Sequence, residues 1–448
     1  MGKVAKRDAL GQVELENLVS LALGEAQRLG VDEAEVSASL DKGLSATARL
    51  GEVESLEYTN DRGISITVFK EQRKGSASTS DLSPDAVREA VAKAVSFANL
   101  TAQDEYAGLA QADRMCREVP NLDLDHPWDI DADTAIAMAI ESEAAGLGHD
   151  ERVSNSEGAT VATNRGTWAY GNTHDFVGSY TRTSHSITCV LLAEADGLMQ
   201  RDYHYAAARC ADDMEDAAEV GRLAGEKTAA RLGARKIETT RAPVLYIPEL
   251  ARGFIGHAMS AISGGAQYRK ASFLLDAVGE QLFPAFVDIL ERPHLPRGMA
   301  SRPYDSEGVA TYDRDIVVNG ELQGYILSSY SARRLGLETT ANAGGAQNLV
   351  VPGGGKDRDA LIADMGTGLV VTELIGHGVN GVTGDYSRGA VGFWVERGEL
   401  AYPVHEVTIA GNLRELYQRI AAIGDDQDLR SGIRCGSILV EEMTITGA

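Results

Sequence analysis

Leu15, Leu18, Val19, Ala22, Ala26 and Leu29 recur at helical spacing, and Gly30 follows where a C-terminal cap belongs. The spacing predicts a helix that ends there. The period then shifts to two. Residues 46–50, 52–58 and 63–69 read as strands, the last with Ile64, Ile66 and Val68 alternating with Ser65 and Thr67. Asn60-Asp61-Arg62-Gly63 supplies turn chemistry between two of them. Residues 73–80 form a further strand of small side chains. Ser83-Pro84 then opens a second helix as N-cap and first-turn proline, with Val87, Ala90, Val91, Ala94, Val95 and Ala98 along one side. The expected unit is a curled antiparallel sheet backed by helices.

The pattern continues after a polar stretch at about 120–127. A helix is expected at 133–145, followed by strands at 160–163, 167–170, 176–183, 186–193 and 200–207. Asn164-Arg165-Gly166, Gly171-Asn172 and Ala195-Asp196-Gly197 punctuate them. A helix at about 213–232, ended by Gly233, closes this part. Strands followed by a helix echo the first hundred residues, which suggests an internal duplication. Residues 233–242 read as a linker, 243–247 as a strand and 248–262 as a helix. Beyond lie short strands broken by glycine, with a last helix at about 413–423. The expected fold is α+β in two domains. Residues 1–235 make the N-terminal one with its curled antiparallel sheet, and 243–448 a glycine-rich, mostly β one.

A length of 448 residues fits that division. The formal net charge of −24 would repel a polyanion, and no Lys/Arg run offsets it, so nucleic acid is an unsuitable partner. Cys116, Cys189, Cys210 and Cys435 lack Cys-x-x-Cys spacing and read as reduced thiols. The N-terminus is charged and has no apolar signal core. Gly2 lacks the Ser or Thr four residues later that myristoylation favours. No run approaches the ~18 apolar residues of a membrane span. A soluble, cytoplasmic protein is expected.

The most specific text lies late in the chain. Gly376-His377-Gly378-Val379-Asn380, Thr383-Gly384-Asp385-Tyr386-Ser387-Arg388-Gly389-Ala390 and Gly392-Phe393-Trp394-Val395-Glu396 closely resemble a block of the TldD/PmbA peptidase family. Tyr402-Pro403-Val404-His405-Glu406 and Thr408-Ile409-Ala410-Gly411-Asn412-Leu413 continue the likeness. Arg252-Gly253-Phe254-Ile255-Gly256-His257, Tyr268-Arg269-Lys270-Ala271-Ser272-Phe273-Leu274 and Arg73-Lys74-Gly75-Ser76-Ala77-Ser78-Thr79 extend it over nearly the whole chain. The resemblance is to PmbA (TldE)-like members. It implies a two-domain subunit that pairs with a TldD-type relative. In TldD-type members a helix bearing His-Glu-x-x-x-His binds zinc together with a later Cys. It also implies cleavage of unfolded peptides in a narrow chamber and modulation of DNA gyrase through peptide inhibitors, without DNA contact.

A zinc hydrolase needs about three protein ligands and an open position for water. The helix that should supply two of them has only His257, with Ala261 four residues on. The metal motif is absent, and zinc is expected in the partner. A non-standard site would have to draw on His257, Glu373, His377 and Cys435. Gly353-Gly354-Gly355-Lys356 lacks the Ser/Thr of a phosphate loop and reads as a flexible hairpin. Gly378, Asn380, Gly384, Asp385, Tyr386 and Arg388 are candidates for lining a substrate channel. The alternative for Asp385 and Arg388 is an internal salt bridge that holds a turn. The expected role is a non-metal-binding subunit that caps a TldD-type partner and holds unfolded peptide. Two alternatives remain open: a peptide-binding or scaffolding homodimer without hydrolytic activity, and a self-sufficient peptidase with an unrecognised metal site.

Overall fold

A computed structural model describes residues 4–447, with side chains from residue 11 onward; Gly2 and its neighbours lie outside the described residues. The N-terminal part contains α1 (Val4–Arg28), β1 (Glu33–Arg49), β2 (Glu52–Lys70), β3 (Arg73–Thr79) and α2 (Pro84–Ala98). It continues through α3 (Ala132–Leu147), β4 (Val153–Asn172), β5 (Phe176–Ala195), β6 (Leu198–Ala208) and α4 (Ala217–Ala230). One helix, three strands and one helix thus occur twice in succession. The six strands form one antiparallel sheet, ordered β3-β2-β1-β4-β5-β6 and curled into a half-barrel. Helix starts follow local chemistry. Ser83, Asp131 and Asp216 accept from the backbone N–H groups of Ala86, Thr134 and Glu219.

Two expected turns are strand interiors. Asn60–Gly63 pair one to one with Lys42–Ser39 in β1, and Asn164–Gly166 are hydrogen-bonded between β1 and β5. Gly166 serves a different need. A Cβ there would collide with the Trp168 ring and the Asp41 carboxylate, so glycine permits close approach rather than a bend.

Alternation divides the sheet into two unlike faces. Ala34, Val36, Ala38, Ile64, Ile66 and Val68 pack under α1 and α2. Leu44, Ala46, Val161, Ile187, Cys189 and Leu191 pack under α3 and α4. The register puts Ser37, Ser39, Asp41, Ser65, Ser78 and Ser184 on the other side. That face is hydroxyl-rich, and one hollow of ≈ 650 Å³ on it is lined by Ser37, Ser39, Ser65, Ser78, Arg62 and Trp168.

The C-terminal part begins with β7 (Thr240–Tyr246) and α5 (Pro248–Ala261). Shorter elements follow: α6 (Gly264–Tyr268), β8 (Ile289–Glu291), β9 (Arg314–Val318), β10 (Glu321–Leu322), α7 (Ser329–Leu335), β11 (Leu349–Val350) and α8 (Arg358–Met365). Then come β12 (Gly368–Ile375), β13 (Asp385–Glu396), β14 (Glu399–Asn412), α9 (Leu413–Gln418), β15 (Ile420–Ile423), β16 (Ile433–Arg434) and β17 (Ile438–Thr446). The larger sheet runs β14-β13-β12-β7-β17-β15 and the smaller β10-β9-β8-β11-β16. The expected last helix is cut short. It stops at Gln418, and residues 420–423 join β17 as an edge strand. Gly354 and Gly355 donate to the Ile423 carbonyl and the Asp425 carboxylate, so the triple-glycine segment is anchored rather than free. Among the described residues no helix is long and apolar enough to cross a membrane.

Candidate functional site

Helix α5 starts at Pro248, where the missing N–H costs nothing, and buries Ala251, Phe254, Ile255 and Ala258. Phe254 stacks on Tyr246 at 5.2 Å and meets Tyr417 edge-on at 5.0 Å, which fixes the helix against β7 and α9. His257 emerges one turn later, 6.1 Å from the Tyr386 ring of β13. Burial lowers its pKa, and the nearby Arg388 guanidinium lowers it further. A His-Glu-x-x-x-His motif ending at His257 would need His and Glu at 252 and 253, where the chain has Arg252 and Gly253. Arg252 is committed elsewhere. It donates to the Tyr205 hydroxyl at 3.1 Å and pairs with Asp428 at 3.2 Å.

The other metal-type residues do not join His257. Glu373 in β12 is bound to Arg231 of α4 at 2.5 Å. His377 lies exposed on the loop that follows β12, while Cys435 is 0% exposed, with Sγ donating to the Gly436 carbonyl. Burial pushes that thiol well up, against thiolate formation. Among the described residues no group of three or more His, Cys, Asp or Glu side chains could hold a metal ion. The residues present therefore do not fit zinc.

The channel candidates separate by role. The 376–384 loop folds back on the start of β13. Ser387 N–H donates to the Gly378 carbonyl, and a Cβ at Gly378 would collide with the Ser387 carbonyl. Asn380 accepts from Val382 N–H, and Thr383 donates to Asp385 at 2.6 Å. Gly384 has φ +80, which favours glycine. Gly378, Asn380, Gly384 and Asp385 thus hold the loop's own shape. Tyr386 is 2% exposed and points into the core, so it lines no open channel. Arg388 donates to the Ile375 carbonyl and makes no ion pair with Asp385 among the described residues. His405 and Glu406 lie in β14 at a register break, with Glu406 paired to Lys236.

One polar cluster that joins the two parts was not legible in the sequence. A cleft of ≈ 600 Å³ between the two parts is lined in part by His204, Glu215, Glu249, Arg358, Asp428 and Arg430. Arg430 donates to Glu249 and Asp428, each at 2.8 Å, and lies over the Tyr205 ring at 4.3 Å. Burial pushes the Glu249 and Asp428 pKa values up. Hydrogen bonds and the charge of Arg430 outweigh it, and both end below the usual carboxylate range. Nδ1 of His204 accepts from Lys227 at 3.0 Å, and Nε2 meets Glu215 at 3.3 Å. Burial, then Lys227, lowers the His204 pKa. With both ring nitrogens engaged, it is no free base for a substrate proton. These partners come from chain segments far apart; Arg252 and Asp428, for example, are 176 residues apart. No short motif signals them.

Comparison with known proteins accords with this architecture. Residues 34–98, 125–232 and 239–447 match, in order, domain 1, the central domain and the C-terminal domain of the PmbA/TldA metallopeptidase models. The chain is 46% identical to Metalloprotease PmbA of Escherichia coli O157:H7, over 97% of this chain and 96% of that one. It is equally similar to a Metalloprotease PmbA homolog of Haemophilus influenzae, 46% identical with the same coverage. A Metalloprotease TldD homolog of the same species is 25% identical over 41% of this chain and 40% of its own. Among solved structures, a proposed modulator of DNA gyrase from Bacteroides thetaiotaomicron superposes with a TM-score of 0.92 at 27% identity, covering 96% of this chain and 98% of that one. On these matches the chain belongs to the PmbA/TldD metallopeptidase family, as a PmbA-like member.

Proposed function

We propose that this chain is the non-metal-binding, peptide-holding subunit of a cytoplasmic metal-dependent peptidase, and that a TldD-type partner carries the zinc. One observation carries the reading. His257 stands without a second ligand on α5, and the charge of Arg388 acts on its ring. A dication placed there would meet positive charge instead of carboxylate. The presence of both a PmbA homolog and a TldD homolog in one relative's species supports pairing of the two types.

The peptide-holding role is supported by the shape of the half-barrel. The sheet face turned away from α1, α2, α3 and α4 offers hydroxyls to an extended backbone. In β2, residues 52–63 pair with β1 on one side, while β3 covers only residues 64–70 on the other. That edge can accept a strand through main-chain hydrogen bonds, a mode that reads extended shape more than sequence. The test is hydrolysis of an unfolded peptide by the purified chain, alone and with a TldD-type partner and zinc. Activity only in the mixture is expected. Full activity from the chain alone would overturn the reading, and recovery of this chain only with itself from native lysate would favour a scaffolding homodimer.

A further inference from the structure

The apolar side of the half-barrel runs past its core. Leu44, Ala46 and Ala48 of β1 are buried, and directly opposite them in β2 stand Tyr58, Leu56 and Val53. Opposed residues of an antiparallel pair point to the same face, so these three extend the core face outward by one strand. Glu54 is the extra residue of a bulge that brings Val53 into line with the other two. The row is left open: Val53 is 50% exposed, Leu56 40% and Tyr58 69%.

The other face of the same stretch is acidic. Glu57 lies opposite Ser45, Thr59 opposite Gly43 and Asp61 opposite Asp41. Among the described residues no cation lies within ion-pair distance of Glu57, Asp61 or Asp41. Carboxylates set directly opposite one another are destabilising, and a neighbouring cation offsets the repulsion. The backbone between the two faces is open as well. Pairing with β3 ends at Ile64, opposite Thr79, and among the described residues no other strand or bridge meets residues 53–62 from that side. Alternate N–H and C=O groups along this stretch therefore point outward without a partner.

An apolar row, an unpaired backbone and a row of carboxylates thus share one edge, and each selects a property of what binds there. The backbone selects an extended chain. The alternation of faces selects apolar residues at every second position and cations between them. A second copy of this chain is a poor match, because β2 laid on itself sets Glu52, Glu54, Glu57 and Asp61 against the same acids, with Arg62 as the one cation.

We propose that the β2 edge at residues 53–62 binds extended chain segments in which basic residues alternate with apolar ones. The apolar side chains pack on Val53, Leu56 and Tyr58, and the cations lie beside Glu57 and Asp61. The inference rests on the peptide-holding reading and gives that role a substrate class. The overall charge of −24 draws any cation toward the molecule; the edge adds the demand for alternation.

The test uses the unaltered purified chain and acetylated, amidated nonapeptides, with binding followed by calorimetry at low salt. One peptide alternates lysine with valine, one glutamate with valine and one lysine with serine. The lysine–valine peptide should bind roughly tenfold more tightly than either of the others, and molar salt should remove most of its advantage over glutamate–valine. Leu56→Ser with Tyr58→Ser should bring lysine–valine and lysine–serine within about twofold. Glu57→Lys with Asp61→Lys should reverse the preference toward glutamate–valine. These four residues are exposed, so the substitutions leave the core alone, and the peptide comparison itself needs no variant. Equal binding of lysine–valine and lysine–serine, or a preference untouched by the charge reversal, would overturn the inference and leave peptide holding standing. Self-association of the free chain that Leu56→Ser with Tyr58→Ser abolishes, without selectivity among the peptides, would overturn it in favour of a second copy at this edge. Binding of no peptide would sink both proposals.

Discussion

Arg231 shows how one side chain decides what its neighbours can do. It sits at the C-terminal cap of α4, is 4% exposed, and reaches Asp202 of β6 at 2.6 Å and Glu373 of β12 at 2.5 Å. It thereby ties the half-barrel to the larger C-terminal sheet, and it explains why Glu373 is unavailable as a metal ligand. Removing the cation would strand two carboxylates, one of them deeply buried. Arg231→Met should therefore cost about 3 kcal/mol in urea unfolding. Adding Glu373→Gln to that variant should restore part of the loss, since one stranded charge is gone. No loss in the single variant would mean that the pair does not hold the two parts together.

Between elements, closeness is set by glycine. Helices α3 and α4 pack with Gly146, Gly221 and Gly225 at the contact, where a Cβ on Gly221 would collide with the Ser142 carbonyl and one on Gly225 would meet the Gly146 carbonyl at 2.5 Å. Gly221→Ala must push the helices apart and should cost about 1–3 kcal/mol. Gly24→Ala is the control. A Cβ on Gly24 of α1 meets nothing within 4 Å, so the change should be neutral or stabilising by up to ~1 kcal/mol. Thermal unfolding of the two variants checks the contrast. The same property explains which elements could be read in advance. Helices with one apolar side and an N-cap, such as α2 after Ser83, were legible because the period and the cap agree. Residues 59–62 of β2 were not, because both faces are open there and Asn60-Asp61-Arg62-Gly63 reads as a turn. At Asn164–Gly166 the turn chemistry misled, since a central strand used glycine to admit the Trp168 ring. At the candidate site, the lack of a second ligand beside His257 was visible in the text. The commitment of Glu373 to Arg231, the burial of Tyr386 and the cluster around Arg430 depend on contacts across hundreds of residues, which no local pattern encodes.

At the scale of the molecule, the two parts are joined by charges that respond differently to acid. Glu249 and Asp428 have depressed pKa values, so their contribution is present above the unfolded carboxylate range and is lost as pH falls through their folded values. His204 also loses its contribution as pH falls, but at a higher pH than the carboxylates do. Its folded pKa lies below 6.5, so the unfolded chain binds the proton first, and stability drops as pH falls from about 6.5 toward the folded value. Buried His185 and His257 act with the same sign, so the slope of the whole protein does not isolate the interface. The difference between the parent and His204→Gln does. Measured by denaturant unfolding from pH 8 to pH 5, that difference should be constant above about pH 7 and shrink below 6.5. There the parent loses the advantage of an unprotonated ring beside Lys227, and the variant has nothing to lose. A difference that stays constant down to pH 5 would place His204 outside the balance that joins the half-barrel to the C-terminal part.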